Sequence, residues 1–279
     1  MALDKLVDST QLDTDLTSVA NAIRTKGGTS AQLAFPADFV TAIGAISGSD
    51  LTFAIENIRE IKFCKGSETN IYVDFTKLTG LATMANSFNG TSAQTAWSKI
   101  KIKPPATAMQ TGQIFYAGSV DTAVKEIEID GTLLLQTSSG NIGYFSNRKG
   151  LKTISGLLDL TRVTKADGYS NTSATTNMFA SCIALETVSF VPGSMALTTT
   201  SWNLNWCAAL TDDSLVSIAN ALRDTYSGTL TFHATPKARL STIMGTVTTS
   251  DGLSIFTKSA SGTVSLEDFL TITKGATLA

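Results

Sequence analysis

Charge, histidine, proline and cysteine are all scarce in this chain. Lys, Arg, Asp and Glu make up 16% of its 279 residues, against about 25% in an average soluble protein. Ser, Thr, Asn and Gly supply much of the missing polarity, so the expected surface is neutral and hydroxyl-rich. The net charge is −2 and no basic run stands out, which argues against nucleic acid as a partner. One histidine, His233, excludes a multi-histidine metal centre. It follows a strand pattern at 229–232, which suits a structural or exposed role. Cys64, Cys182 and Cys207 are an odd count without close pairs, so neither a disulfide framework nor a zinc site is expected. No apolar stretch approaches the ~20 residues that span a bilayer. The opening Met1-Ala2-Leu3-Asp4-Lys5 lacks the basic start and apolar core of a signal peptide. The expectation is a chain made in the cytoplasm, without membrane insertion. No Walker loop or dinucleotide fingerprint occurs, and Ser47, between Gly44 and Gly48, has the wrong spacing for a nucleophile elbow. No cofactor, metal or catalytic residue is expected.

What the chain does contain is a recurring triplet, apolar-x-x-apolar-x-apolar. Ile58-Ile61-Phe63, Trp97-Ile100-Ile102, Val124-Ile127-Ile129 and Leu185-Val188-Phe190 share it, and Leu151-Ile154 begins another that Gly156 leaves incomplete. An aromatic opening a short turn precedes most copies: Phe88, Phe115, Phe145 and Phe179. Trp206-Cys207-Ala208-Ala209-Leu210 repeats the middle of the best copy, Met178 to Phe190. The first triplet residues, with Leu210, are separated by 39, 27, 27, 34 and 25 residues. The shortest steps fit leucine-rich repeats of roughly 20–29 residues, and the longer ones require inserted loops, placed at 64–86 and 161–176. A block that cannot bury its own apolar face stacks on a copy of itself. The expected fold is therefore a leucine-rich-repeat solenoid, a parallel β-sheet with short helices and turns. Its central claim is one inner row of Ile61, Ile100, Ile127, Ile154 and Val188.

The flanks differ. Residues 1–46 read as a small helical segment. Leu12, Leu16, Val19 and Ile23 form one apolar stripe, and Phe39, Ile43 and Ile46 another after Pro36. Two short helices are marginal alone, so Leu12, Leu16, Val19, Ile23, Phe39 and Ile43 are candidates for attachment or oligomerisation. Residues 47–50 read as a linker, 51–210 as the repeat array and 211–279 as an α/β capping region. In the cap, Thr211 is an N-cap for a helix carrying Leu215, Ile218, Ala219 and Leu222. A strand follows at 229–232, then a short helix opened by Thr235-Pro236 with Leu240, Ile243 and Met244, and strands near 252–257 and 263–272.

Side chains alternate along a strand, so residues between triplet members point outward. Glu60, Lys99, Glu126, Thr153 and Thr187 form one outer column; Lys62, Lys101, Glu128, Ser155 and Ser189 form the next. Lys99, Lys101, Glu126 and Glu128 are candidate binding residues, together with the aromatics Tyr116, Tyr144, Tyr169 and Trp202. A solvated sheet face and packing between coils are the structural alternatives. Glu126, Glu128 and Asp130 share one face at a spacing of roughly 7 Å, permissive for glycan cleavage. Lys99 and Lys101 on the adjacent strand should pair with the glutamates and spoil them as general acids.

Met178-Phe179 through Phe190 resembles the BspA-like leucine-rich repeats of bacterial surface proteins. The opening ALDKLVDSTQLDTDLTSVANAIRTKGG, with LAFPADFVTAI after it, resembles the N-terminal segment of tail proteins from phages and prophages of Gram-positive gut bacteria. LTDDSLVSIANAL, GTLTFHAT and the ending TKGATLA resemble the C-terminal part of the same proteins. The resemblance implies a virion protein of the distal tail, a fibre or tip, that contacts the host. Its expected partners are other tail proteins, through the N-terminal helices, and a host-surface glycan or protein. A homo-oligomer is expected, a trimer by preference. A purely architectural tail subunit and a glycan-cleaving tail enzyme are the alternatives. The family supplies no catalytic residues to carry over.

Overall fold

The computed structural model describes residues 17–22, 24, 70–77, 88, 97–105, 114–136, 144–163 and 178–279. The chain divides into two compact units, Met1–Asp50 and Leu51–Ala279. In the first, residues 17–22 and 24 are helical; Ala20 is buried and Val19 is 48% exposed. Leu12, Leu16, Ile23, Phe39 and Ile43 lie outside the described residues.

The described part of the second unit begins with a parallel β-solenoid. Strands β1 (Asn70–Asp74), β2 (Lys99–Lys103), β3 (Glu126–Gln136) and β4 (Thr153–Arg162) form one sheet in chain order. The pairing is parallel and in register: Ile71 faces Ile100, Ile100 faces Ile127, and Ile127 faces Ile154. A bridge from Thr153 to Thr187 and a bond from Ile154 N–H to the Thr187 carbonyl (2.8 Å) extend the row to Val188. Four of the five residues expected in the inner row are thus adjacent, and all four are buried. The position beside Ile100 corrects the expectation. Ile71 fills it, on a strand inside the stretch 64–86 that the sequence reading treats as a loop. Ile58, Ile61 and Phe63 lie outside the described residues.

Two rows of hydrogen bonds repeat with the coils. Phe88 N–H donates to the Ile114 carbonyl, Phe115 to Tyr144 and Phe145 to Met178, each at 3.0 Å. On the other side, Lys125 N–H donates to Ser98, Lys152 to Lys125, Glu186 to Lys152 and Thr211 to Glu186, at 2.8–2.9 Å. Between these rows the aromatics form a ladder. Phe88, Phe115, Phe145 and Phe179 stack at 5.4, 5.3 and 5.4 Å, with ring planes 14–16° apart. Phe75 closes one end edge-on, and Phe190 followed by Trp202 closes the other. The expected repeated aromatic is thus a continuous column.

The turns after Phe145 and Phe179 carry a second pair of equivalent buried residues. Arg148 and Cys182 both stand three residues after their phenylalanine and three before a buried leucine, Leu151 or Leu185. Cys182 Sγ donates to the Phe145 carbonyl (3.1 Å). In the coil before, Arg148 Nε donates to the Phe115 carbonyl (2.7 Å), and Nη2 reaches the Phe88 carbonyl two coils away (2.8 Å). Its Nη1 bonds Asp121 Oδ2 at 2.8 Å, and the guanidinium is wholly buried. Burial pushes the Arg148 pKa down, and the hydrogen bond it donates to Asp121 opposes that shift. The two thiols in the described residues, Cys182 and Cys207, are free and buried. Burial raises the Cys182 thiol to about 12 and the Cys207 thiol well above its ordinary value, which makes both inert.

Gly156 explains the incomplete triplet. It sits at φ +86° where the β3–β4 register shifts between Glu128 and Thr132. A Cβ there would lie 2.2 Å from the Ile129 carbonyl oxygen. Both strands then continue, to 11 and 10 residues, burying Leu133, Leu135, Leu158 and Leu160. Gly156→Ala should therefore lower stability by about 2–4 kcal/mol, measured by urea unfolding.

After the coils, Thr211 caps helix α1 (Asp212–Ala221), and Leu215, Ile218, Ala219 and Leu222 are buried. The helix covers backbone that a further strand would pair. Val188 N–H donates to Ser214 Oγ (3.0 Å) and Phe190 N–H to Ser217 Oγ (2.8 Å). A second parallel sheet joins β5 (Trp202–Leu204), β6 (Thr229–Phe232) and β10 (Thr277–Leu278). His233 accepts from Thr235 N–H and caps the short helix α2 (Ala234–Lys237).

An antiparallel sheet holds β7 (Met244–Ser250), β8 (Leu253–Lys258) and β9 (Val264–Ser265). Two expectations are corrected here. Met244 begins a strand instead of ending a helix. The strand expected at 263–272 is only β9, followed by helix α3 (Leu266–Asp268) and a π turn over Phe269–Thr273. Ser265 caps that helix on Asp268 N–H (3.0 Å). This start signal outweighs the β-branched residues behind it.

Candidate functional site

The outer face of the first sheet is built by alternation. Its columns read Asn70, Lys99, Glu126, Thr153 and Tyr72, Lys101, Glu128, Ser155. Lys99 Nζ lies 2.9 Å from Glu126 Oε1 and 2.5 Å from Glu128 Oε2, and Lys101 Nζ lies 2.7 Å from Glu128 Oε1. All four side chains are between 29% and 39% exposed. The expected cross-strand pairing is therefore present. Glu60 and Lys62 lie outside the described residues, and Asn70 and Tyr72 occupy the next places in the columns. Lys101 stands 5.5 Å over the Tyr72 ring, a cation–π contact where the sequence reading places a like charge. Hydrogen bonds from Lys101 and Lys99 hold the Glu128 carboxyl below its ordinary range. Such a group is a poor proton donor.

The candidate aromatics separate. Tyr116 is half-buried, and Tyr169 lies outside the described residues. Tyr144 and Trp202 are corrections: they are 0% and 1% exposed and cannot serve as open platforms. Tyr144 precedes Phe145 as Ile114 precedes Phe115 and Met178 precedes Phe179, so it belongs to a buried column. Trp202 alternates inward with Leu204 and meets Phe190 edge-on at 5.2 Å.

A second place was missed. A cleft of about 350 Å³ opens where the turn after Phe190, the segment after α1 and the β7–β8 hairpin converge; Pro192, Arg223, Asp224, Thr225, Asp251 and Leu253 are among its lining residues. Asp224 accepts from Ser254 N–H (3.0 Å), Ser254 Oγ (2.7 Å) and Lys274 Nζ (2.5 Å). Lys274 is wholly buried, also donates to the Ser254 carbonyl (2.7 Å) and lies 5.2 Å from the Phe269 ring centre. Burial lowers the Lys274 pKa against the pull of Asp224. For Asp224, burial acts upward, but the bonds from Lys274 and Ser254 outweigh it and the net shift is downward. Its folded pKa is then below the ordinary 3.8. The stabilisation is complete above that value and is lost as pH falls through it. The stability difference between the wild-type chain and Asp224→Asn should shrink below about pH 4, followed by urea unfolding; a constant difference across acid pH contradicts the linkage.

Among the described residues, no three His, Cys, Asp or Glu side chains are placed to hold a metal ion. Nor is any described helix long and apolar enough to cross a membrane. No protein-family model, no curated protein and no solved structure matches the chain.

Proposed function

We propose that the chain is a structural protein of a phage tail that presents its solenoid to the host cell as a recognition surface. The observation that carries the reading is the outer sheet face, where charges and hydroxyls stand in fixed columns one strand apart, locked by ion pairs across β2 and β3. A rigid polar array of this kind costs little ordering entropy on binding. The coils belong in this reading to the leucine-rich class, on the strength of the repeat spacing and the Met178–Phe190 pattern. The sequence likeness of both flanks to tail proteins supplies the setting. Leu12, Leu16, Val19, Ile23, Phe39 and Ile43 attach the chain to other tail proteins or to sister copies, as a trimer.

Labelled full-length chain should bind susceptible host cells and not resistant derivatives. A variant carrying Lys101→Glu and Glu128→Lys, with the pair reversed, should bind less while losing only about 0.2–1 kcal/mol of stability to the like-charge contact with Lys99. A chain that attaches only to tail particles sinks the recognition role in favour of an architectural one. Release of soluble sugar from host wall by the purified chain would favour the enzyme.

A further inference from the structure

The cleft beside α1 is separate from the sheet face, and its chemistry selects a ligand class. We propose that it is a binding site for a neutral polyhydroxylated ring, a sugar or cyclic polyol, held between Arg223 and Asp251.

The walls are fixed. Arg223 Nε donates to the Gly193 carbonyl at 3.0 Å, which anchors the guanidinium. Among the described residues no acceptor reaches its two terminal nitrogens. Asp251 and Gly252 form the β7–β8 hairpin turn with φ +52° and +74°, the left-handed pair of a tight two-residue connection. Gly193, at φ +65°, packs so closely that a Cβ would lie 2.8 Å from Leu253 Cδ2. Asp224 is held by Ser254 and Lys274, as described above. Asp224, the Arg223 Nε and the hairpin backbone therefore stand in place before any ligand arrives.

The charges decide what fits. Asp224 is balanced from behind by buried Lys274. That leaves Arg223 and Asp251, whose carboxylate accepts only a long bond from Ser250 Oγ (3.4 Å), as the charged lining residues not paired with each other, with Thr225 beside them. An anion drawn to Arg223 meets Asp251, and a cation drawn to Asp251 meets Arg223. A hydroxyl accepts from the first and donates to the second. Pro192 and Leu253 give the apolar face of a ring something to lie on. A cleft of about 350 Å³ is at the small end of ligand sites, which run from about 300 Å³ upward, so it takes one or two rings.

The test is saturation-transfer NMR on the full chain, with neutral hexoses, N-acetylhexosamines and inositol in one arm and hexuronates and free amino acids in the other. Transfer to a neutral compound is expected. It should weaken about tenfold, the worth of one charge-assisted hydrogen bond, in both Arg223→Gln and Asp251→Asn. Asparagine tolerates the left-handed turn, so the melting temperature of Asp251→Asn should hold. No transfer from any neutral compound, transfer confined to charged ones, or transfer unchanged in both variants overturns the assignment. The Lys101→Glu/Glu128→Lys chain should bind the small ligand normally, so failure of this site and failure of the sheet face are distinguishable.

Discussion

Arg148→Ala should destabilise the chain by about 3–5 kcal/mol, the usual cost of removing one partner from a buried ion pair. The arginine makes four demands on one site. It neutralises Asp121, satisfies the carbonyls of Phe115 and Phe88, and fills the turn between two coils. Alanine leaves a buried carboxylate without its cation and takes one donor away from each of two carbonyls. Removing Asp121 as well should recover part of the loss, because no charge is then stranded. Arg148→Cys with Asp121→Ala should recover more, since Cys182 makes the equivalent bond in the next coil. Urea unfolding gives all the values. A loss under about 1 kcal/mol for Arg148→Ala would mean that water reaches this turn.

Phe145→Ala should cost about 3–5 kcal/mol, as large-to-small aromatic substitutions in cores do. Phe145 is stacked on both faces, on Phe115 and Phe179, so neither neighbour can collapse into the space without leaving its own coil. The ladder makes a sharper claim about pairs. Phe115→Leu and Phe145→Leu should couple by about 0.5–1.5 kcal/mol, the worth of an aromatic pair beyond its area. Phe88→Leu and Phe145→Leu, separated by Phe115, should be additive within about 0.5 kcal/mol. Equal coupling in both cycles contradicts a column of nearest neighbours.

The residues show why some of this was readable and some was not. Ile100, Ile127, Ile154 and Val188 were legible as one row because a strand repeats its inward residues at fixed offsets, and the coil length restores the phase. The Lys99–Glu128 pairing followed from the same register. β1 was not legible, because Asn70-Ile71-Tyr72-Val73-Asp74 alternates over only two inward residues and lacks a leading apolar residue three places before Ile71. Tyr144 and Trp202 read as surface residues because tyrosine and tryptophan carry polar atoms. Aligning Tyr144 with Ile114 and Met178 places it inside. The same alignment sets Arg148 at the place of Cys182, a signal that an unusual residue sits in a structural column. The cleft had no sequence signal, since Arg223 and Asp251 come to line one cleft only through the packing of α1 against β8.

The stacking of coils can be measured in solution from the methyl groups of the inner row. In a chain labelled at isoleucine δ1 methyls, Ile100 and Ile127 should show a mutual Overhauser contact, and so should Ile127 and Ile154. Ile100 and Ile154, two strand spacings or about 9.6 Å apart, should show none. Direct contact between Ile100 and Ile154, or no contact from Ile127 to either, would contradict parallel coils laid side by side in register.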